Sequence, residues 1–347
     1  MPVLWESQLE LKHKIQAAWN TGNQIVAAIS PTGSGKTVVF SDILSEEPGA
    51  SAAIAHRKEL VSQMSMALAR NGVRHRVIGS KDLTKQIVGM HNAELGTSYY
   101  DPSARCGVIG IDSLQSLNPC DPWLYQVRKF ICDEGHHVQR ENKWGRGCLM
   151  FPNAQGLIVT ATGWRADGGG LGRGVLLPNG KWSNDGLADC LVEGRNMRWH
   201  IDNGFLTDYR IVAPKSDIDY SGINVTPGGD LSLVKLRAAV HKSTRIVGDV
   251  VKNYRKFASG MLGVTFAVDV EAAIELADAF RESDVTAEVI SANTPDTLRT
   301  QILAKFARRE IMMLVNVDLF GEGFDLPAIE VVIMVRKTES KGLFDQQ

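Results

Sequence analysis

Ser30-Pro31-Thr32-Gly33-Ser34-Gly35-Lys36-Thr37 is the stretch that decides how the rest of the chain is read. Ahead of it, Gln24-Ile25-Val26-Ala27-Ala28-Ile29 is short, apolar and bounded by turn residues, which predicts a buried parallel strand. Behind it, Thr37-Val38-Val39-Phe40 opens a helix whose N-terminus favours anions. Between the two, Gly33 and Gly35 allow a sharp turn that brings backbone N–H groups close to phosphate oxygens. Thr32, Gly33, Ser34 and Gly35 are the candidate cradle, Lys36 reaches the β- and γ-phosphates, and the Thr37 hydroxyl is a candidate Mg²⁺ ligand. Ser30 stands where the strict pattern has glycine.

Nearly a hundred residues on, Phe130-Ile131-Cys132 runs into Asp133-Glu134-Gly135-His136-His137. An acidic pair at the end of a buried strand lies at the carboxyl edge of the sheet, where open α/β folds bind ligands. Asp133 is a candidate to hold Mg²⁺ through water, because that ion takes few carboxylates and keeps much of its hydration. Glu134 is placed to orient and deprotonate an attacking water, since phosphoryl transfer asks for positioning more than covalent chemistry. An exposed acidic turn is the plainer alternative, and the phosphate loop weighs against it. Two adjacent histidines raise zinc, but they point in different directions and no cysteine cluster accompanies them.

The motifs run on in order. Ala55-His56-Arg57-Lys58-Glu59-Leu60-Val61-Ser62-Gln63, Val108-Ile109-Gly110-Ile111-Asp112-Ser113-Leu114-Gln115, Thr160-Ala161-Thr162 and Asn316 through Pro327 complete the series. Together with the two strings above, they resemble motifs Ia, Ib, III and V beside I and II of superfamily 2 helicases of the DEAD/DEAH type. The group that includes type I and III restriction motor subunits and phage DNA helicases is the nearest. Gly135 stands where alanine is usual, and Gly163 where proline is usual. The resemblance implies an α/β fold of two tandem RecA-like domains, each a parallel sheet flanked by helices. It implies an ATP-dependent translocase or helicase with Mg²⁺ as cofactor, ATP lying in the interdomain cleft and nucleic acid as partner, DNA favoured over RNA. Lys36, Asp133, Glu134 and His136 are then the catalytic set. Gln8 becomes a candidate adenine contact, and Gly323 and Asp325 face the nucleotide from the second domain. Arg57, Ser113 and Asn316 are candidate phosphate-backbone contacts, which position a strand without reading its sequence. Binding that weakens with salt is expected.

Composition is compatible with this and limits it. The 347 residues suit two domains, placed at 1–203 and 204–347, and 44% hydrophobic with 22% charged residues describes an ordinary globular chain. Net charge is −1, so nucleic acid would be gripped by a local groove and not by the whole surface. No apolar run is long enough to span a bilayer, and the first ten residues lack a signal peptide's apolar stretch. Five cysteines form no C-x-x-C pair, which points to free thiols in a reducing cytoplasm, and the resemblance implies that of a bacterial or phage-infected cell.

Strands are expected at 24–29, 51–55, 106–111, 129–133 and 156–161, with a helix through Leu9, Leu11, Ile15 and Trp19. The polar, glycine-rich stretch from Asp167 to Asp185 reads as a mobile surface loop. Asp185, Asp189 and Glu193, spaced by four, read as a solvated helix face. In the second half, strands at 261–267, 311–315 and 330–335 alternate with helices at 270–281 and after Thr294, an N-cap followed by Pro295. Arg336 to Gln347 resembles the lead-in to motif VI, and the arginines that normally follow are not among these residues. A fragment, or a partner subunit supplying an arginine finger, is therefore expected. The alternative function is a non-catalytic ATP- and nucleic-acid-binding module of a larger assembly. A small-molecule kinase comes third, for want of an acceptor site.

Overall fold

The computed structural model describes residues 3–165, 169–174, 180, 182, 185–214, 218–226, 230–242, 246–317 and 328–335. The chain divides into two compact units, Met1–Asp208 and Tyr209–Gln347.

The first unit begins with α1 (Glu6–Asn20), which buries Leu11, Ile15 and Trp19 on one stripe. That spacing of four is the reason a mostly polar segment becomes a docked helix. Lys12 of α1 bridges Asp42 and Glu46, both at 2.6 Å, and ties the helix to the one after the phosphate loop. There follow β1 (Ile25–Ile29), α2 (Lys36–Ser45), β2 (Ala50–Ala55), α3 (Lys58–Arg70), β3 (His75–Ile78), α4 (Lys81–Leu95) and β4 (Cys106–Gly110). Short helices α5 (Ile111–Gln115) and α6 (Pro122–Gln126) lead to β5 (Val127–Cys132), α7 (Lys143–Cys148), β6 (Gln155–Thr160), β7 (Cys190–Glu193) and α8 (Met197–Asp202). The strands form one parallel sheet in the order β3-β4-β2-β5-β6-β1-β7.

Both faces of this sheet are covered, so its central strands read as continuous apolar runs. Val26, Ala28, Ala53, Val108, Ile131 and Leu157 pack under α1 to α4 on one face. Ile25, Ala27, Ile54, Ile109, Phe130 and Ile158 pack against α5 to α7 on the other. The alternation along each strand divides one apolar run between two cores.

In the second unit, α9 (Leu233–Lys242) and α10 (Ile246–Phe257) precede β8 (Gly263–Phe266), α11 (Val270–Glu282), β9 (Ala287–Ser291), α12 (Asp296–Ala307), β10 (Met313–Val317) and β11 (Val331–Met334). Its strands are again parallel, in the order β11-β8-β10-β9. Tyr254, Leu276 and Phe280 cover one face, and Ile302 and Phe306 the other. Both units are therefore RecA-like α/β domains. Among the described residues no helix is long and apolar enough to cross a membrane.

Several expectations are corrected. Strands β3, β7 and β9 were not foreseen, and all three are sheet edges. Asp189 and Glu193 do not share a helix face: Glu193 ends β7, and the Asp189 carboxylate accepts the N–H groups of Gln24 and Ile25 at 2.9 and 2.8 Å, anchoring the start of β1. Where it is described, the glycine-rich stretch is fastened down. Leu171, Leu187 and Ala188 are buried in the core, Gly172 bridges Ala188, and Arg165 pairs with Asp185. Pro295, not Thr294, caps α12; the Thr294 hydroxyl instead accepts the Ser291 N–H at 3.0 Å and closes the preceding turn.

Candidate nucleotide site

Parallel register brings the separated motifs to one edge of the first sheet. Strand β6 lies between β1 and β5, pairing Ile29 with Thr160 and Cys132 with Ile158. Three carboxyl ends, about 4.8 Å apart in sequence-independent steps, thus carry the phosphate loop, Thr160-Ala161-Thr162 and Asp133-Glu134 side by side. The Ser30 N–H donates to the Thr160 carbonyl at 3.0 Å, and the Asp133 N–H to the Ile54 carbonyl at 3.2 Å, so each loop leaves its strand fixed to a neighbour.

Gly33 and Gly35 adopt left-handed φ of 78° and 79°, a conformation costly for other residues. Gly35 is the N-cap of α2, and the Val38 and Val39 N–H groups donate back to its carbonyl. A side chain at Gly35 would overlap the Gln8 amide. Gln8 itself is buried; its carboxamide accepts the Trp5 N–H at 2.9 Å and donates to the Ser34 carbonyl at 3.1 Å. Gln8 therefore braces the phosphate loop from α1. Ser30, the departure from the strict pattern, donates to or accepts from Ser34 at 2.8 Å and fills space opposite Gly194, where a methyl group would come within 2.9 Å of its hydroxyl.

Lys36 turns back on its own loop, its ammonium donating to the Ser30 and Pro31 carbonyls at 3.0 and 3.1 Å. Burial pushes its pKa down, and the Asp133 and Glu134 carboxylates oppose that shift. Burial pushes the Asp133 carboxyl up, against the Glu134 N–H that it accepts at 3.0 Å and the nearby Lys36, His56 and His136. A carboxylate set deep beside a lysine, and still short of positive charge, is a site that a cation would stabilise. The donors on hand, the Asp133 carboxylate and the Thr37 hydroxyl, are hard oxygens of the type Mg²⁺ takes, and phosphate and water complete its shell in such sites.

Glu134 holds a left-handed φ of 53°, an uncommon conformation for a non-glycine residue that costs about 1 kcal/mol or more. It turns the chain straight from β5 into the short 3₁₀ turn Gly135–His137. His136 is buried with Nδ1 3.5 Å from the Glu134 carboxylate. A methyl group on Gly135 would overlap Cγ2 of Ile158, which accounts for glycine at a position where alanine is usual.

Of the nucleic-acid candidates, Arg57 is exposed at the N-cap of α3 and Ser113 is half-buried on α5, both following carboxyl ends of strands in the first sheet. Asn316 is different. It is fully buried within β10, its carbonyl accepting the Ala267 N–H at 2.9 Å, so its side chain is not presented to a nucleic-acid strand. Gly323 and Asp325 lie outside the described residues.

Two residues that pack around the loop and the start of α1 were not found from sequence. Leu206 packs on Gly33, with Cδ2 2.7 Å from where a methyl group would stand. Phe205 stacks on Trp5 at 4.7 Å between centroids, and on Trp199 at 5.8 Å. Trp5 had a signal, lying three residues ahead of Gln8. Phe205 and Leu206 had none, because nothing in their local pattern links them to a loop some 170 residues earlier.

Comparison with known proteins agrees with this geometry. The family described as type III restriction enzyme, res subunit, matches residues 2–165, and the helicase conserved C-terminal domain matches 250–347. A 51.5 kDa protein of a Lactococcus phage (isolate 7-9) is 31% identical over 321 residues, covering 92% of this chain and 60% of that protein. The Saccharomyces cerevisiae protein IRC3, whose name places it among ATP-dependent helicases, is 24% identical over 99% of this chain and 48% of its own length. The chain thus spans between about half and three-fifths of these relatives. The Pyrococcus furiosus Hef helicase domain shares the fold at a TM-score of 0.55 and 12% identity, over 99% of this chain and 91% of that one. Motif order, sheet topology and these matches together place the chain in the superfamily 2 helicases of the restriction-motor type.

Proposed function

We propose that the chain is the motor of an ATP-dependent translocase or helicase acting on DNA, hydrolysing ATP to ADP and phosphate. The observation that carries this is the convergence of Lys36 with Asp133 and Glu134 at the carboxyl ends of β1 and β5, on either side of β6, where both carboxylates oppose the burial that lowers the Lys36 pKa. In this reading the Lys36 ammonium leaves the Ser30 and Pro31 carbonyls for the β- and γ-phosphate oxygens. Thr37 and Asp133 would hold Mg²⁺, which when bound neutralises charge on those phosphates. The loop N–H groups from Thr32 to Gly35 cradle the phosphate chain. Glu134, pointed by its left-handed backbone, orients the attacking water and takes its proton, with His136 beside it. Gln8 links the base side of the site to the loop. Gly323 and Asp325 are assigned to the nucleotide, and Arg57 and Ser113 to the nucleic-acid backbone. The choice of DNA over RNA rests on the match to the restriction-enzyme family.

The experiment is steady-state ATP hydrolysis with Mg²⁺, with and without single- and double-stranded DNA and RNA, for the native chain, Lys36→Ala and Glu134→Gln. Turnover stimulated by DNA and lost in both variants, with Glu134→Gln still binding ATP, is the expected result. Nucleic-acid-independent turnover, or turnover untouched in Lys36→Ala, overturns it. One description, that of a subunit, favours a second reading: a nucleotide- and nucleic-acid-binding module that turns over only inside a larger assembly. ATP binding that needs Lys36, without turnover, supports that one.

A further inference from the structure

Helix α7 holds together three motifs that the nucleotide chemistry itself does not join. Asn142 begins it, accepting the Trp144 and Gly145 N–H groups at 2.9 and 3.1 Å while its amide donates to the His137 carbonyl at 2.7 Å. The indole of Trp144, largely buried, lies nearly parallel to the His137 ring, 5.2 Å away at 18°. The same indole meets His56 edge-on at 5.4 Å, and His56 meets His137 at 5.2 Å. Behind the ring, α7 is fastened to α5: Gln115 donates to the Lys143 carbonyl at 2.6 Å, and Lys143 pairs with Asp112 at 2.9 Å. Gly147 lies so close to Ile111 that a methyl group there would overlap it.

His137 ends the turn that Asp133 and Glu134 begin, His56 immediately precedes Arg57, and Asp112 immediately precedes Ser113. One indole and its helix therefore touch the acidic turn and brace both candidate nucleic-acid contacts. Close-packed aromatic groups do not deform gradually, so a displacement of the acidic turn is passed to whatever the ring supports. We propose that Trp144 is a positioning residue that couples the state of the ATP site to the grip of Arg57 and Ser113 on nucleic acid. This rests on the function proposed above.

Lying between two sites is not itself coupling, so the test is energetic. ATP turnover of the full chain is measured against single-stranded DNA concentration for the native protein, Trp144→Leu and Trp144→Phe, alongside ATP affinity and thermal melting. Trp144→Leu keeps apolar volume and removes the ring stack; Trp144→Phe keeps a ring. The expected result is basal turnover and ATP affinity unchanged in Trp144→Leu, with DNA stimulation reduced about tenfold and largely restored in Trp144→Phe. Stimulation persisting in a folded Trp144→Leu overturns the inference. So does an equal loss of basal and stimulated turnover that follows the melting temperature, the mark of a merely structural role. A second measurement needs no Leu variant: in the native chain labelled with fluorotryptophan, the ¹⁹F resonance of Trp144, assigned with Trp144→Phe, shifts on adding a non-hydrolysable ATP analogue alone and DNA alone. A resonance that answers to only one of them, or to neither, overturns the inference. Absence of any DNA stimulation in the native chain overturns the functional reading, and this inference with it.

Discussion

At the scale of single residues, the acidic turn is where local chemistry and packing constrain each other most. Glu134 accepts a left-handed backbone, and Gly135 gives up even a methyl group, so that the chain can leave β5 over Ile158. Gly135→Ala, which restores the residue usual at this position, should therefore destabilise this protein by about 1–3 kcal/mol, because the backbone or Ile158 must move to make room. Denaturant unfolding checks this. Adding Ile158→Ala should recover part of the loss attributable to Gly135→Ala, and fully additive losses would show that the two side chains do not compete. The role of Ser30 is of the same kind. A departure from the strict phosphate-loop pattern, it is matched to Ser34 and Gly194.

Among the elements, the packing of α3, α4 and β3 depends on a buried polar chain whose directions can be deduced. His75 Nδ1 lies 2.8 Å from the Val73 carbonyl, which only accepts, so the proton is on Nδ1 and Nε2 accepts from the Ser65 hydroxyl at 2.6 Å. Tyr99 N–H donates to His91 Nδ1 at 3.3 Å, so His91 Nε2 donates to Ser65 at 3.1 Å. Both rings are neutral and satisfied, and neither has an acceptor for a second proton. Burial, with His91 adding a smaller push, lowers the His75 pKa to about 4, and burial lowers that of His91 as well. The unfolded chain takes up protons below about 6.5 that the folded chain refuses. Stability is therefore full above pH 6.5 and falls as pH drops toward 4, by up to about 3 kcal/mol from His75. Urea unfolding across that range checks the slope. His75→Phe should flatten it even if stability at neutral pH falls, and an unchanged slope would put the titration elsewhere.

For the whole molecule, the two units carry separate cores, with residues 1–208 enclosing both clusters of the first sheet and the loop, lysine and acidic turn of the site. Met1–Asp208 produced alone should unfold cooperatively and bind ATP in a Lys36-dependent manner, while DNA-stimulated turnover requires the full chain. Calorimetry with ATP titration checks the first point, and stimulated turnover by the isolated unit would contradict the second. What could be read without coordinates follows from periodicity and local chemistry. Central strand 25–29 and the 130–132 end of β5 are covered on both faces and so read as unbroken apolar runs; Gly33, Gly35 and Lys36 announce a phosphate loop by their spacing alone. Edge strands β3, β7 and β9 were invisible because a half-covered strand needs few apolar residues, and His75, Glu193 and Glu288 break the pattern. The sequence by itself determined the fold class and the motif residues, since both depend on neighbours in the chain. Only the tertiary structure decided that Asn316 is buried, that Leu206 packs on the phosphate loop, that Phe205 stacks on Trp5, and that Trp144 packs against both His56 and His137. Those facts depend on strand order and on helices packed across a sheet, and contacts between distant segments leave no local pattern to read.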